Sequence, residues 1–141
     1  MAQRGNLWVS GLKAVVGALV GTLAVWGVAR ALFEIPAEFA PLNGPGPTIF
    51  FTLVSGIGAV GVFGLVSRFA SRPAPLFRGI AGVVLLLSFA PDLWLLSDGA
   101  AEAFPGATSV GVGVLMVMHV AAAAVIVWAL TSGSAAQKVD Q

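Results

Sequence analysis

Residues 108–130 read TSVGVGVLMVMHVAAAAVIVWAL, and only one ionisable side chain, His119, interrupts the run. A helix rises about 1.5 Å per residue, so this stretch extends over roughly 34 Å as a helix. The hydrocarbon core of a bilayer is about 30 Å thick. A membrane β-barrel strand needs only about 10 residues with alternating polarity, whereas this run is continuously apolar and far longer. A helix also satisfies every backbone N–H and C=O within the segment, as lipid demands. The stretch therefore predicts a membrane-spanning helix.

Three more such runs precede it, at about 12–33, 48–69 and 76–96. The 141-residue chain is 58% apolar and only 9% charged. A soluble domain carries about 25% charged residues, so this chain has too few to coat a water-facing surface. The mean hydropathy of +0.99 agrees. The expected fold class is an all-α membrane protein, a four-transmembrane-helix bundle, forming a single membrane domain over 1–141. Glu34, Pro36, Glu38, Pro41 and Asn43-Gly44-Pro45-Gly46-Pro47 read as a loop, because proline lacks an N–H and restricts the residue before it. Ser71-Arg72-Pro73-Ala74-Pro75 reads as a short turn, residues 98–106 as another loop, and 131–141 as a small, polar, flexible tail. The basic N-terminus followed by an apolar run imitates a signal peptide. The run is too long for one, and Arg30-Ala31-Leu32-Phe33 is no small-residue cleavage site.

The loops set the expected orientation. Lys and Arg accumulate on the cytoplasmic side of a membrane. Arg4, Lys13, Arg68, Arg72, Arg78 and Lys138 fall at one set of span ends, and Glu34, Glu38, Asp98 and Glu102 in the other loops. This predicts a multi-pass cell-membrane protein with both termini cytoplasmic. Trp8, Trp94 and Trp128 lie near span ends, where indoles favour the interface. Trp26 lies deeper and is expected to pack.

Several function classes are excluded. A net charge of +1 and the lack of a basic run interleaved with aromatics argue against nucleic acid. There is no cysteine, so no disulfide or thiolate metal site. No nucleotide-binding loop, catalytic triad, carboxylate pair or metal-ligand spacing is present. No enzyme activity, cofactor or metal is therefore expected. One histidine near Met116 is a poor start for haem or soft-metal ligation.

Three groups of residues are candidates for function. Gly17 and Gly21, then Gly58, Gly61 and Gly64, then Gly79 and Gly82, form small-residue stripes for helix packing, within the bundle or against a subunit. Thr22, Ser55, Ser88 and His119 fall near mid-span, one per helix, and suggest a polar layer. Such a layer is either interhelical hydrogen bonding or a proton relay or ligand pocket. In Ser88-Phe89-Ala90-Pro91-Asp92, Pro91 removes a helical hydrogen bond, frees the Leu87 carbonyl and is expected to kink the third helix. Asp92 and Arg30 approach the same level. They either form an ion pair or reach the interface separately. His119 is expected to turn inward and bond Ser88 across the third and fourth helices.

Gly44-Pro45-Gly46-Pro47, Ser67-Arg68-Phe69 with Arg72-Pro73, Leu87-Ser88-Phe89-Ala90-Pro91 and Met118-His119-Val120-Ala121-Ala122 resemble the domain of unknown function (DUF) family 6069. These are small four-helix bacterial membrane proteins. The resemblance covers nearly the whole chain, departing in the absence of a proline at the end of the fourth span. It implies the fold and no activity, substrate or cofactor.

The expected function is a non-enzymatic membrane protein, either a packing or accessory subunit of a membrane complex or a homo-oligomer. Its partners are then the lipid bilayer and protein subunits. The alternatives are a small transporter or channel using the polar layer, and a binder of a lipophilic ligand such as a quinone, lipid or pigment.

Overall fold

In a computed structural model, residues 2–136 are described, and they form four long helices. These are α1 (Ala2–Leu32), α2 (Pro45–Phe69), α3 (Pro73–Trp94) and α4 (Ser109–Ala136). All four are long and apolar enough to cross a membrane. The shortest, α3, has 22 residues; at about 1.5 Å per residue it is roughly 33 Å long, enough for the hydrocarbon core. Their outward surface is largely apolar. Leu12, Phe50, Phe51, Ile57, Leu65, Leu86 and Leu87 are all exposed, an extent of apolar surface that marks a membrane or protein contact.

The prolines begin helices rather than lengthen loops. Pro45 and Pro47 fill the first turn of α2, and Pro73 and Pro75 the first turn of α3. The expected starts at about 48 and 76 are therefore each three residues late. The first four N–H groups of a helix have no intrahelical partner, so a proline there loses nothing and arrives with a helical φ. α1 begins at Ala2, well before the expected 12, since no proline stands in its first turns. α4 starts where Thr108 Oγ1 accepts the Gly111 N–H at 3.0 Å, a side-chain N-cap. α4 also runs past 130 to Ala136, so the first part of the supposed tail is helical. The remainder, 137–141 with Lys138, lies outside the described residues.

Successive helices are antiparallel neighbours, and α4 closes the ring against α1. Two apolar clusters fill the interior. At the long-loop end, which carries residues 33–44 and 95–108, Ala29, Phe39, Leu42, Leu95, Val112 and Met118 pack together. At the short-turn end Ala14, Ala18, Phe63, Phe77, Ile126 and Leu130 do so. Trp26 packs against the first cluster and donates its indole N–H to the Leu42 carbonyl at 3.2 Å. Trp8 and Trp128 stand exposed near span ends.

The long-loop end is closed by Phe39, which is wholly buried. Two glycines make room for it. Gly106 has a φ of +78°, and a Cβ there would fall 3.2 Å from the Phe39 backbone nitrogen. A Cβ on Gly111 would fall 3.1 Å from the Phe39 ring.

The glycine stripes divide sharply. A Cβ on Gly17 would approach Val125 to 2.8 Å, and Gly21 faces the same valine at 3.9 Å, so both lie on the α1–α4 contact. Gly64 meets Leu7 at 3.4 Å. The packing role expected of Gly58 and Gly61 within the bundle is not found, and the same holds for Gly79 and Gly82: nothing lies within 4 Å of any of them. The α1–α2 contact instead uses Gly11 against Val60 and Gly56 against Val15. Glycine composition alone gives the helix but not the azimuth at which its neighbour sits.

Candidate functional site

The expected layer of four polar residues resolves into separate pairs. Thr22 Oγ1 lies 3.0 Å from Thr52 Oγ1, both buried, linking α1 to α2. Thr22 also bonds the Ala18 carbonyl at 2.9 Å. Ser55 and Ser88 do not join a layer. Ser55 donates to the Thr52 carbonyl at 3.1 Å and Ser88 to the Leu85 carbonyl at 2.7 Å. Within a helix a serine hydroxyl reaches the carbonyl three or four residues back, so neither needs a partner on another helix.

His119 and Asp92 are the ionisable residues that the fold brings together. His119 Nδ1 lies 3.0 Å from Asp92 Oδ2, joining α4 to α3. The same nitrogen lies 2.9 Å from the Leu115 carbonyl, one turn back on α4. The contact expected with Ser88 is therefore replaced by one with Asp92. Of the two readings of Arg30 and Asp92, the ion pair does not form: Arg30 is exposed, and among the described residues the sole ion-pair contact is Asp92–His119. An arginine at the last turn of α1 reaches outward on a long flexible stem, whereas Asp92 is short and fixed inward by its helix.

Local sequence explains this placement. Pro91 sits in the final turns of α3, which continues unbroken to Trp94. Asp92 then faces α4 and is only 5% exposed. The Phe89 ring, three residues back on α3, stands edge-on to the imidazole at 6.5 Å between centroids. The His119 side chain is 40% exposed against 8% for that of Asp92. The pair thus has a sealed carboxyl end and an open imidazole end.

The chemistry available is proton exchange. A neutral imidazole carries one N–H and one acceptor nitrogen. With the proton on Nδ1, the N–H is aligned on the Leu115 carbonyl, and buried Oδ2 makes no hydrogen bond of its own. With the proton on the carboxyl, Oδ2 donates to Nδ1 across the same 3.0 Å. With a neutral imidazole in both, the second arrangement holds one proton more than the first, taken up by the carboxyl while the imidazole N–H passes to Nε2, and neither requires backbone movement. Among the described residues no group of three or more His, Asp or Glu side chains is placed to hold a metal. Met116, near His119 in sequence, packs against the long-loop cluster.

Sequence reasoning overlooked three participants. Thr52 sits one turn before Gly56 on the face that meets α1, and that glycine was the available signal. Thr131 accepts a hydrogen bond from the Arg78 guanidinium at 3.1 Å, joining α3 to α4 at the short-turn end. Leu115 contributes only its carbonyl, for which side-chain identity carries no signal.

A family model described as a family of unknown function (DUF6069) matches residues 2–136. Neither the curated proteins nor the solved structures yield a match.

Proposed function

Because the chain belongs to this family of unknown function, with all four helices inside the matched span, we propose that it is a non-enzymatic, multi-pass protein of the cell membrane whose working element is the Asp92–His119 pair. Both termini are placed in the cytoplasm, which puts the long-loop end outside. The loop charges carry that orientation. Cysteines introduced by Gly44→Cys and Gly99→Cys should react with an impermeant thiol reagent applied outside, and one from Ser71→Cys should not. The reverse pattern sinks the orientation.

One observation carries the functional reading: an ionisable pair at 3.0 Å within two apolar helices, one partner buried and one open. Ionisable groups inside a membrane are costly and mark proton or ligand handling. The pair acts as a proton-responsive element rather than as part of a through-path, since the short-turn half of the core is filled by Ala14, Ala18, Phe63, Phe77, Ile126 and Leu130. Protonation changes the contact between α3 and α4 and so the stability of that seam. His119 is the one histidine of the chain, so its imidazole NMR signal reports the pair without ambiguity. Asp92→Asn should change the chemical shifts of that signal and flatten the pH dependence of thermal unfolding. Unchanged shifts, or an unchanged pH dependence, overturn the reading.

A second reading is a packing subunit or homo-oligomer, with lipid and protein subunits as partners. It is favoured by Gly58 and Gly61, which lie open on α2 with no neighbour. Native mass spectrometry after gentle extraction separates the two, because a subunit travels with its partner and a lone proton-responsive protein travels alone.

A further inference from the structure

Between α3 and α4 runs an open groove of about 370 Å³. Its walls are Gly82, Leu85, Val120 and Ala124, and its short-turn end is formed by Arg78, Thr131 and Trp128. From Arg78 to Leu85 the helix advances roughly 10 Å, the length of a stretch of hydrocarbon chain. Gly82 widens the groove, since nothing lies within 4 Å of where its Cβ would be.

The charged end is built rather than incidental. Thr131 is 2% exposed, and its hydroxyl is fixed by the Val127 carbonyl at 2.8 Å. It holds the Arg78 guanidinium at 3.1 Å, at the mouth of the groove. A guanidinium has five N–H donors, and this contact uses one. No carboxylate pairs with Arg78 among the described residues. Trp128 is 69% exposed beside it, a position indoles favour at headgroup depth.

We infer that this groove binds a phospholipid with an anionic headgroup, one acyl chain lying between α3 and α4 and the phosphate on Arg78. Planar arginine matches a phosphate through paired N–H donors, and the apolar walls exclude a purely polar anion from the rest of the groove. The inference rests on membrane placement and is independent of the Asp92–His119 reading.

The test uses the full chain in nanodiscs of mixed phosphatidylglycerol and phosphatidylcholine, released into native mass spectrometry. The wild type should retain phosphatidylglycerol in preference to phosphatidylcholine. Arg78→Gln should lower that preference by roughly tenfold or more, since even one of the paired charge-assisted hydrogen bonds is worth about that factor, while Arg78→Lys should keep part of it. Ala124→Leu, which leaves the guanidinium in place and fills the groove, should lose both lipids. Thermal unfolding in a zwitterionic detergent checks that each variant is folded. Equal retention of the two lipids by the wild type, or an unaltered preference in folded Arg78→Gln or Ala124→Leu, overturns the inference. Inorganic phosphate that binds the lipid-free protein in an Arg78-dependent way and displaces the lipid overturns it too, by making the ligand a free anion.

Discussion

Helix α4 has two different neighbours. Against α1 it packs through missing side chains: Gly17 and Gly21 receive Val125, and Ala14, Ala18, Ile126 and Ala129 fill the rest. Against α3 it is fastened at two polar points, Asp92–His119 near one end and Arg78–Thr131 near the other, with an open groove beside them. In a bilayer, lipid gives no hydrophobic drive between helices, so contact there must come from close packing or hydrogen bonding. The α1–α4 seam uses the first, and separating it loses dispersion along its whole length. The α3–α4 seam uses the second, at two separate fastenings. A seam of the second kind suits a chemical trigger, and α3 is the helix with the fewest buried residues, Phe77 and Asp92.

The contrast is broken most directly at Gly17. Gly17→Leu should lower stability by about 3 kcal/mol, because a Cβ already meets Val125 at 2.8 Å and overpacking a filled contact costs about that much. Val125→Ala in the same chain should recover most of it, whereas Gly21→Ala, with 3.9 Å available, should be nearly silent. Thermal unfolding in detergent reads all three.

The polar seam predicts a different pattern. His119→Ala should cost about 2 kcal/mol, because it strands the buried Asp92 carboxyl without a partner. Adding Asp92→Leu should restore much of the loss, since replacing both members of a polar pair by apolar groups is close to neutral. A double variant as unstable as the sum of both single ones removes the argument that these residues act as a pair.

Thr22→Val tests a third kind of contact, a lone hydroxyl pair with Thr52. The expected loss is about 0.6 kcal/mol, the average for an interhelical hydrogen bond in a membrane protein. The smallest effect belongs to Gly58→Ala and Gly61→Ala. These open positions should leave monomer stability within about 0.5 kcal/mol, and a change in size-exclusion behaviour there would favour the subunit reading.

The four helices were legible because continuous apolar length alone marks a helix able to cross a membrane. Their starts were not, because Pro45 and Pro73 look like loop residues until the unbonded first turn is considered. The site was legible in its members and not in its pairing. His119, Asp92, Ser88 and Arg30 all stood out as polar residues in apolar helices. Which two meet depends on how far each helix is rotated about its axis, and helices apolar on every side leave that rotation unmarked in the sequence. Ser88 could turn to its own backbone and Arg30 could extend outward. Asp92 had neither escape, which is the physical reason it is the residue that faces His119.

Phe39 carries a consequence for how this protein can change over generations. Its ring lies against the point where a Cβ on residue 111 would stand. A side chain gained at 111 is accommodated most readily in a lineage whose residue 39 has already become smaller, and a large residue is restored at 39 most readily while Gly111 persists. Position 106 is held differently, since its φ of +78° and the Phe39 backbone nitrogen oppose a Cβ whatever side chain residue 39 carries. Positions 39 and 111, distant in the chain, are thus inherited as one character, and the order of substitutions between them is constrained even where each final combination folds.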